Sequence, residues 1–177
     1  MDKQIPTTLA FIAPKKVDEI LSFTKNILSQ LLMYTTLSSA EQRKVKLIVV
    51  EFVTNAIKHD TDDIARIILV IADNELSIQK LQHGLPINFN CKHDQFPFKK
   101  HGKTVDITFS NENKHRILIQ DNYKFQFLDV ERESLEMKEI PEHFGFYIIT
   151  STSNCFTYEF EPTTGLNRYV SQLSLGI

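Results

Sequence analysis

The spacing of apolar positions changes along the chain, and each change marks an element. Thr7 to Ile12 (TTLAFI) is a short β-prone run closed by Pro14. From Lys15 to about Tyr34, Val17, Ile20, Leu21, Phe23, Ile27, Leu28, Leu31 and Leu32 recur at helical spacing. This broad stripe predicts an amphipathic helix packed on a core. Ser38 stands three residues before Glu41, the pattern of a capping box, and predicts a second helix running to about His59. Its apolar residues, among them Val45, Ile48, Val49, Phe52, Val53 and Ala56, cover most of the circumference, which predicts burial on most sides.

The period then falls to two. Ala65 to Ala72 (ARIILVIA) and Leu76 to Leu81 (LSIQKL) predict a hairpin across Asp73-Asn74. It runs into His83-Gly84-Leu85-Pro86, where Gly84 permits backbone conformations closed to other residues. Asn88 to Lys103 shows no clear period and predicts an irregular loop. Thr104 to Phe109 and His115 to Gln120 predict a second hairpin around Asn111-Glu112-Asn113, with a further β-prone stretch from Lys124 to Val130. His143 to about Ser151 predicts a short helix, with strand as the competitor because of Ile148-Ile149-Thr150. Cys155 to Glu161 and Arg168 to Leu175 predict a third hairpin across Pro162-Thr163-Thr164-Gly165. Together these elements predict one α+β domain over 1–177. Its expected architecture is a two-layer sandwich, with helices packed on one face of a mixed, mostly antiparallel sheet.

Composition narrows the function classes. The hydrophobic share is 42% and the charged share 24%, ordinary for a globular domain, and the net charge is −2. That balance offers no electrostatic footprint for nucleic acid or an anionic membrane. Two cysteines, Cys91 and Cys155, make no disulfide framework. Without a leader-like start or a long apolar run, the expected compartment is the cytoplasm. Five glycines, none clustered, exclude a P-loop or a dinucleotide fingerprint. Cys91, His93, Asp94 and His101 match no standard zinc spacing.

The candidate chemistry sits inside the second helix. Glu51 and Asn55 are four residues apart, so they share one face of an otherwise apolar helix. Such a pair needs a partner: core hydrogen bonds, or a bound metal and water. An amide one turn from a carboxylate can complete a hard-cation site, with the carboxylate acting as a general base.

The surrounding residues, VEFVTNAIKHD, closely resemble the N-box of the GHKL (histidine-kinase-like) ATPase superfamily. The pattern Glu51, Asn55, Ala56, His59 is most similar to that of anti-sigma-factor serine/threonine kinases. The order of elements is similar as well: short strand, long helix, capped N-box helix, hairpin, ligand loop, short helix, final hairpin. This resemblance implies a Bergerat-type fold, expanded at about 88–139, that binds ATP and Mg²⁺. It implies that Asn55 holds the metal and the nucleotide phosphates, that Glu51 is the catalytic base, and that Lys58 and His59 lie near the nucleotide. The family's adenine-binding D-x-G-x-P becomes Gln82-His83-Gly84-Leu85-Pro86, with Gln82 in the aspartate's place. A second alignment, on Ile119 to Tyr123, keeps an aspartate, Asp121, but lacks the glycine. The family's last glycine motif becomes His143-Phe144-Gly145-Phe146, which keeps Gly145 as a phosphate-binding position. The implied partner is a regulatory protein, a sigma factor or an antagonist of the anti-sigma kind, with a homodimer as the assembly. The alternative reading is a nucleotide-independent interaction module with the same fold.

Overall fold

The period-two runs pair into one sheet. The structure, a computed structural model, describes residues 6–58, 64–89, 96–110, 113–129 and 144–176. Its strands are β1 (Thr7–Ile12), β2 (Arg66–Ala72), β3 (Glu75–His83), β4 (Thr104–Ser110), β5 (Asn113–Asp121), β6 (Lys124–Leu128), β7 (Cys155–Glu161) and β8 (Leu166–Ser174). They form an open eight-stranded sheet in the order β1-β2-β3-β8-β7-β6-β5-β4. Every pairing is antiparallel, so the sheet is not mixed as the sequence predicts.

Alternation sets which face is buried. On β3, Leu76, Ile78, Lys80 and Gln82 point one way and are buried. Register carries that face across the sheet: Leu69 lies opposite Ile78, Ile78 opposite Ser171, Ser171 opposite Phe156, and Phe156 opposite Phe127. A slip of one residue in any pair would turn its apolar set outward.

The first helical segment is shorter than its apolar stripe. A 3₁₀ turn, Val17–Glu19, leads into α1 (Ile20–Leu31). Lys16 is extended, which delays the start. Bonds from the Met33 and Tyr34 amides to the Gln30 and Leu31 carbonyls, three residues back, tighten the end. The second helix, α2 (Ser39–Lys58), starts where the capping box predicts. The Ser38 amide donates to Glu41 Oε2 at 2.6 Å, and the Glu41 amide donates to Ser38 Oγ at 3.2 Å. Glu41 Oε1 also accepts from the Gly176 amide at 2.8 Å, which ties the end of the chain to the start of α2. One side of α2 is more open than its all-round apolar pattern predicts, since Leu47 is 46% exposed.

The third helix is α3 (Phe144–Thr152), so helix prevails over strand in this stretch. Aromatic contacts seat α2 and α3 on the same sheet face. Phe52 of α2 meets Phe156 and Tyr169 at 6.1 and 6.4 Å between ring centroids. Phe146 of α3 meets Phe127 and Tyr169 at 5.3 and 5.9 Å. Burying a phenylalanine of this kind stabilises the fold by about 2–3 kcal/mol.

The described part of Asn88 to Lys103 carries no helix or strand, as its lack of period predicts, and the second hairpin and the β-prone stretch after it form β4, β5 and β6. β4, β5 and β6 extend the same sheet beyond β7. Phe89, Phe96 and Phe98 fold onto Phe125, and Phe96 also contacts Tyr158. Aromatic spacing there is irregular because tertiary packing, not a local period, selects the inward rings.

Candidate functional site

A cavity of about 310 Å³ opens where β3 meets β8, beneath α2 and α3. Its walls come from five elements and a loop. Asn55 is on α2, Lys80 and Gln82 on β3, Phe109 on β4, Phe146 on α3, and Asn167 and Tyr169 on β8. The loop His83 to Asn88 completes the rim. The volume is at the lower end of the range for organic ligands, roughly 300–1,000 Å³.

A polar relay fixes the rim. The Tyr158 hydroxyl accepts from the Ile87 amide at 2.9 Å and donates to Asn167 Oδ1 at 2.5 Å. Asn167 Nδ2 in turn reaches the Gly84 and Gly165 carbonyls, each at 3.4 Å. The Gly84 amide donates to the Gly165 carbonyl at 2.9 Å. Gly84 has φ of 154°, a conformation that a β-carbon disfavours, so the freedom that the sequence predicts there is used.

Asn55 is the pivotal wall residue. It is buried, and its Nδ2 has no hydrogen-bond partner among the described residues. Buried amides are normally satisfied, and an unsatisfied one costs about 1–3 kcal/mol. Its amide nitrogen also lies close to the start of α3, where a β-carbon on Gly145 would come within 3.4 Å of it.

Glu51 sits one turn earlier, beside this cavity but not in its wall. Its carboxylate lies against Gly145, in the first turn of α3, where a β-carbon would collide with Oε2. That turn has no acidic residue of its own, so a carboxylate beside it is favourably placed with the helix dipole. Burial pushes the Glu51 carboxyl above the usual range, and the Lys58 charge offsets part of that rise. Lys58 itself is exposed at the end of α2 and lines no part of the cavity. No family model matches the chain, and no curated protein matches it.

The structure therefore brings together Asn55, Gln82 and Gly84 as cavity walls, with Glu51 and Gly145 touching alongside. Gln82 is buried opposite Asn167 across the β3–β8 pair. His59 and His143 lie outside the described residues, as do Cys91, His93 and Asp94 of the zinc combination. His101 is on the surface, 2.8 Å from Asn122 Oδ1. Among the described residues, no three His, Cys, Asp or Glu side chains gather as a metal site. Asp121, the anchor of the second alignment, is exposed in the β5–β6 turn and accepts from the Asn122 amide. It does not line the cavity.

Lys80, like Phe109, Asn167 and Tyr169, is a wall residue that the sequence pattern does not single out. It is 4% exposed, and its Nζ stands 4.5 Å above the centre of the Tyr169 ring. Burial pushes its ammonium down to about 8. The signal was present in LSIQKL, where Lys80 continues the inward positions of Leu76 and Ile78. No described helix is long and apolar enough to cross a membrane.

Proposed function

We propose that this chain is a regulatory domain of the GHKL type, with a Bergerat-like two-layer fold, that holds ATP in the cavity between Asn55 and the Gln82–Pro86 loop. One observation carries the reading. Asn55, with its orphaned amide, stands on the helix whose sequence resembles an N-box, and it lines a cavity that the Gly84 loop also lines. A half-turn of that amide presents Oδ1 in place of Nδ2, so Asn55 suits a hard cation such as Mg²⁺ as well as a phosphate oxygen. Among the described residues no carboxylate lines the cavity, and Asn55 is the wall residue suited to the metal, with the ligand's phosphates as further ligands.

Bound Mg²⁺ would neutralise charge on the transferring phosphoryl group. Glu51 is then the group that takes a proton from a serine or threonine hydroxyl of a partner protein. Its desolvated carboxyl, with a raised proton affinity, suits that role. A sigma factor or an antagonist of the anti-sigma kind is the partner class in this reading.

A second reading, an interaction module that works without nucleotide, is favoured by a different observation. Val17, Leu21, Met33, Tyr34 and Leu47 are exposed on and around α1 and α2, apolar surface suited to a protein partner.

Calorimetric titration separates the two. ATP and ADP, each with and without Mg²⁺, are titrated into the wild type and Asn55→Ala. Heat in the wild type that is lost in Asn55→Ala supports the nucleotide site. No heat at millimolar nucleotide sinks it and leaves the interaction module. Phosphate release or transfer, compared with Glu51→Ala, then separates an enzyme from a nucleotide sensor.

A further inference from the structure

Among the described residues, nothing around Lys80 gives the fold a structural reason for a cation there. Lys80 is directly opposite Tyr169 on the central β3–β8 pair, on the same face as the fully buried Leu76 and Ile78. An apolar side chain of similar length would fill that space without a desolvation penalty. The ring of Tyr169 offers its face to the ammonium, which is an attraction but not a counter-charge. Among the described residues no ion pair includes Lys80, and no aspartate or glutamate lines the cavity. The unpartnered Asn55 amide lines the same cavity. Among the described residues, a lysine without a counter-ion and an amide without an acceptor therefore share one cavity, and its remaining walls include the rings of Phe109, Phe146 and Tyr169.

We propose that the cavity takes a small organic anion: an anionic oxygen group, phosphate or carboxylate, seats on Lys80 Nζ with the Asn55 amide as a second donor, and the aromatic walls hold the ligand's apolar or ring portion. The phosphate of a nucleotide is one source of that group, and the carboxylate of an aromatic acid is another. The proposal shares its cavity with the nucleotide reading but does not depend on it. A charged, hydrogen-bonded pair in a water-poor cavity is far stronger than the same pair in water, so a single ammonium can dominate recognition.

The test compares anions with neutral analogues on the full chain. Phenyl phosphate, benzoate and ADP are titrated beside benzamide and adenosine, with wild type and Lys80→Met. The expected result is that at least one anion binds the wild type about tenfold or more tighter than its neutral analogue. Lys80→Met should erase that difference while the neutral compounds change little. Acylation of Lys80 by acetic anhydride, followed by peptide mass spectrometry, gives a readout that needs no variant, and the bound anion should slow it. Equal binding of anions and neutral analogues, full anion affinity in Lys80→Met, or no anion binding at millimolar concentration overturns the proposal. ADP binding that needs Asn55 but ignores Lys80 leaves the nucleotide reading standing and removes this one. Binding of benzoate or phenyl phosphate through Lys80, without ATP or ADP, does the reverse.

Discussion

The backbone of Gly145 lies against the carboxylate of Glu51, so that a β-carbon at position 145 would collide with Glu51 Oε2 and stand 3.2 Å from its Cδ. The contact joins two residues that are far apart in the chain, and it seats the first turn of α3 on α2. Gly145→Ala should cost about 1–2 kcal/mol, since overpacking outweighs the helix propensity gained. In Glu51→Ala the same substitution should cost less, because the obstructing carboxylate is gone. Urea unfolding of the four proteins measures the coupling, and simple additivity would refute the contact.

Glu51 also predicts a pH effect. Burial raises its folded proton affinity, so its ionised form weakens the fold. That penalty grows as pH rises from the ordinary glutamate value of 4.5 through the raised folded value. Glu51→Gln should therefore be more stable than the wild type at neutral pH, with the difference vanishing in acid. Thermal unfolding across the acid range checks the sign.

Lys80 predicts the opposite slope at alkaline pH. Its folded value of about 8 lies below the ordinary 10.5, so the unfolded chain binds more protons between the two. Stability should rise with pH across that window, as a penalty of about 3 kcal/mol is relieved. The buried hydroxyls of Tyr158 and Tyr169 are pushed well above their ordinary value, so their contribution falls once pH passes about 10. The clean interval therefore lies below about pH 10. Lys80→Met should flatten the slope there and be the more stable protein at neutral pH. Denaturant titrations at a series of pH values measure both effects.

Tyr158→Phe should loosen the rim of the cavity while keeping the ring packing. It removes the acceptor of the Ile87 amide and the donor to Asn167 Oδ1. The expected loss is about 1–2 kcal/mol. Hydrogen exchange at the Ile87 amide should accelerate more than exchange in β1 and β2. A uniform change across the sheet would count against a local role.

Ser38→Ala should cost about 1 kcal/mol by removing one half of the capping box. The remaining partner, Glu41, has its carboxyl held below the usual range by hydrogen bonds from Ser38 and Gly176. Its contribution is present above the ordinary value of 4.5 and is lost as pH falls. Ser38→Ala and Glu41→Gln should thus both weaken the acid sensitivity of the wild type, as followed by circular dichroism on acidification.

Much of the element plan is legible in the residues. The capping box at Ser38 and Glu41 marks the start of α2, and the turn at Asp73-Asn74, with Asp73 at φ of 48°, marks the first hairpin. The final hairpin is equally plain, with β7 and β8 joined across Pro162 to Gly165. Glu51 and Asn55 stand out because two polar residues at helical spacing interrupt an apolar run. Lys80 is harder to notice, because a lone lysine in an alternating strand reads as an ordinary polar position. Its inward direction shows only once its phase is set against Leu76 and Ile78.

The local periods, the cap, the turns and the polar pair of α2 are written in residues a few positions apart, so the chain encodes them without its fold. That β4 to β6 extend the sheet, that Gly145 meets Glu51, and that Lys80 faces Tyr169 with no counter-charge among the described residues emerges only from the folded arrangement. Those facts depend on register and packing between segments distant in the chain. No local period encodes which strand becomes a neighbour, and a buried charge is isolated or paired according to what that neighbour brings.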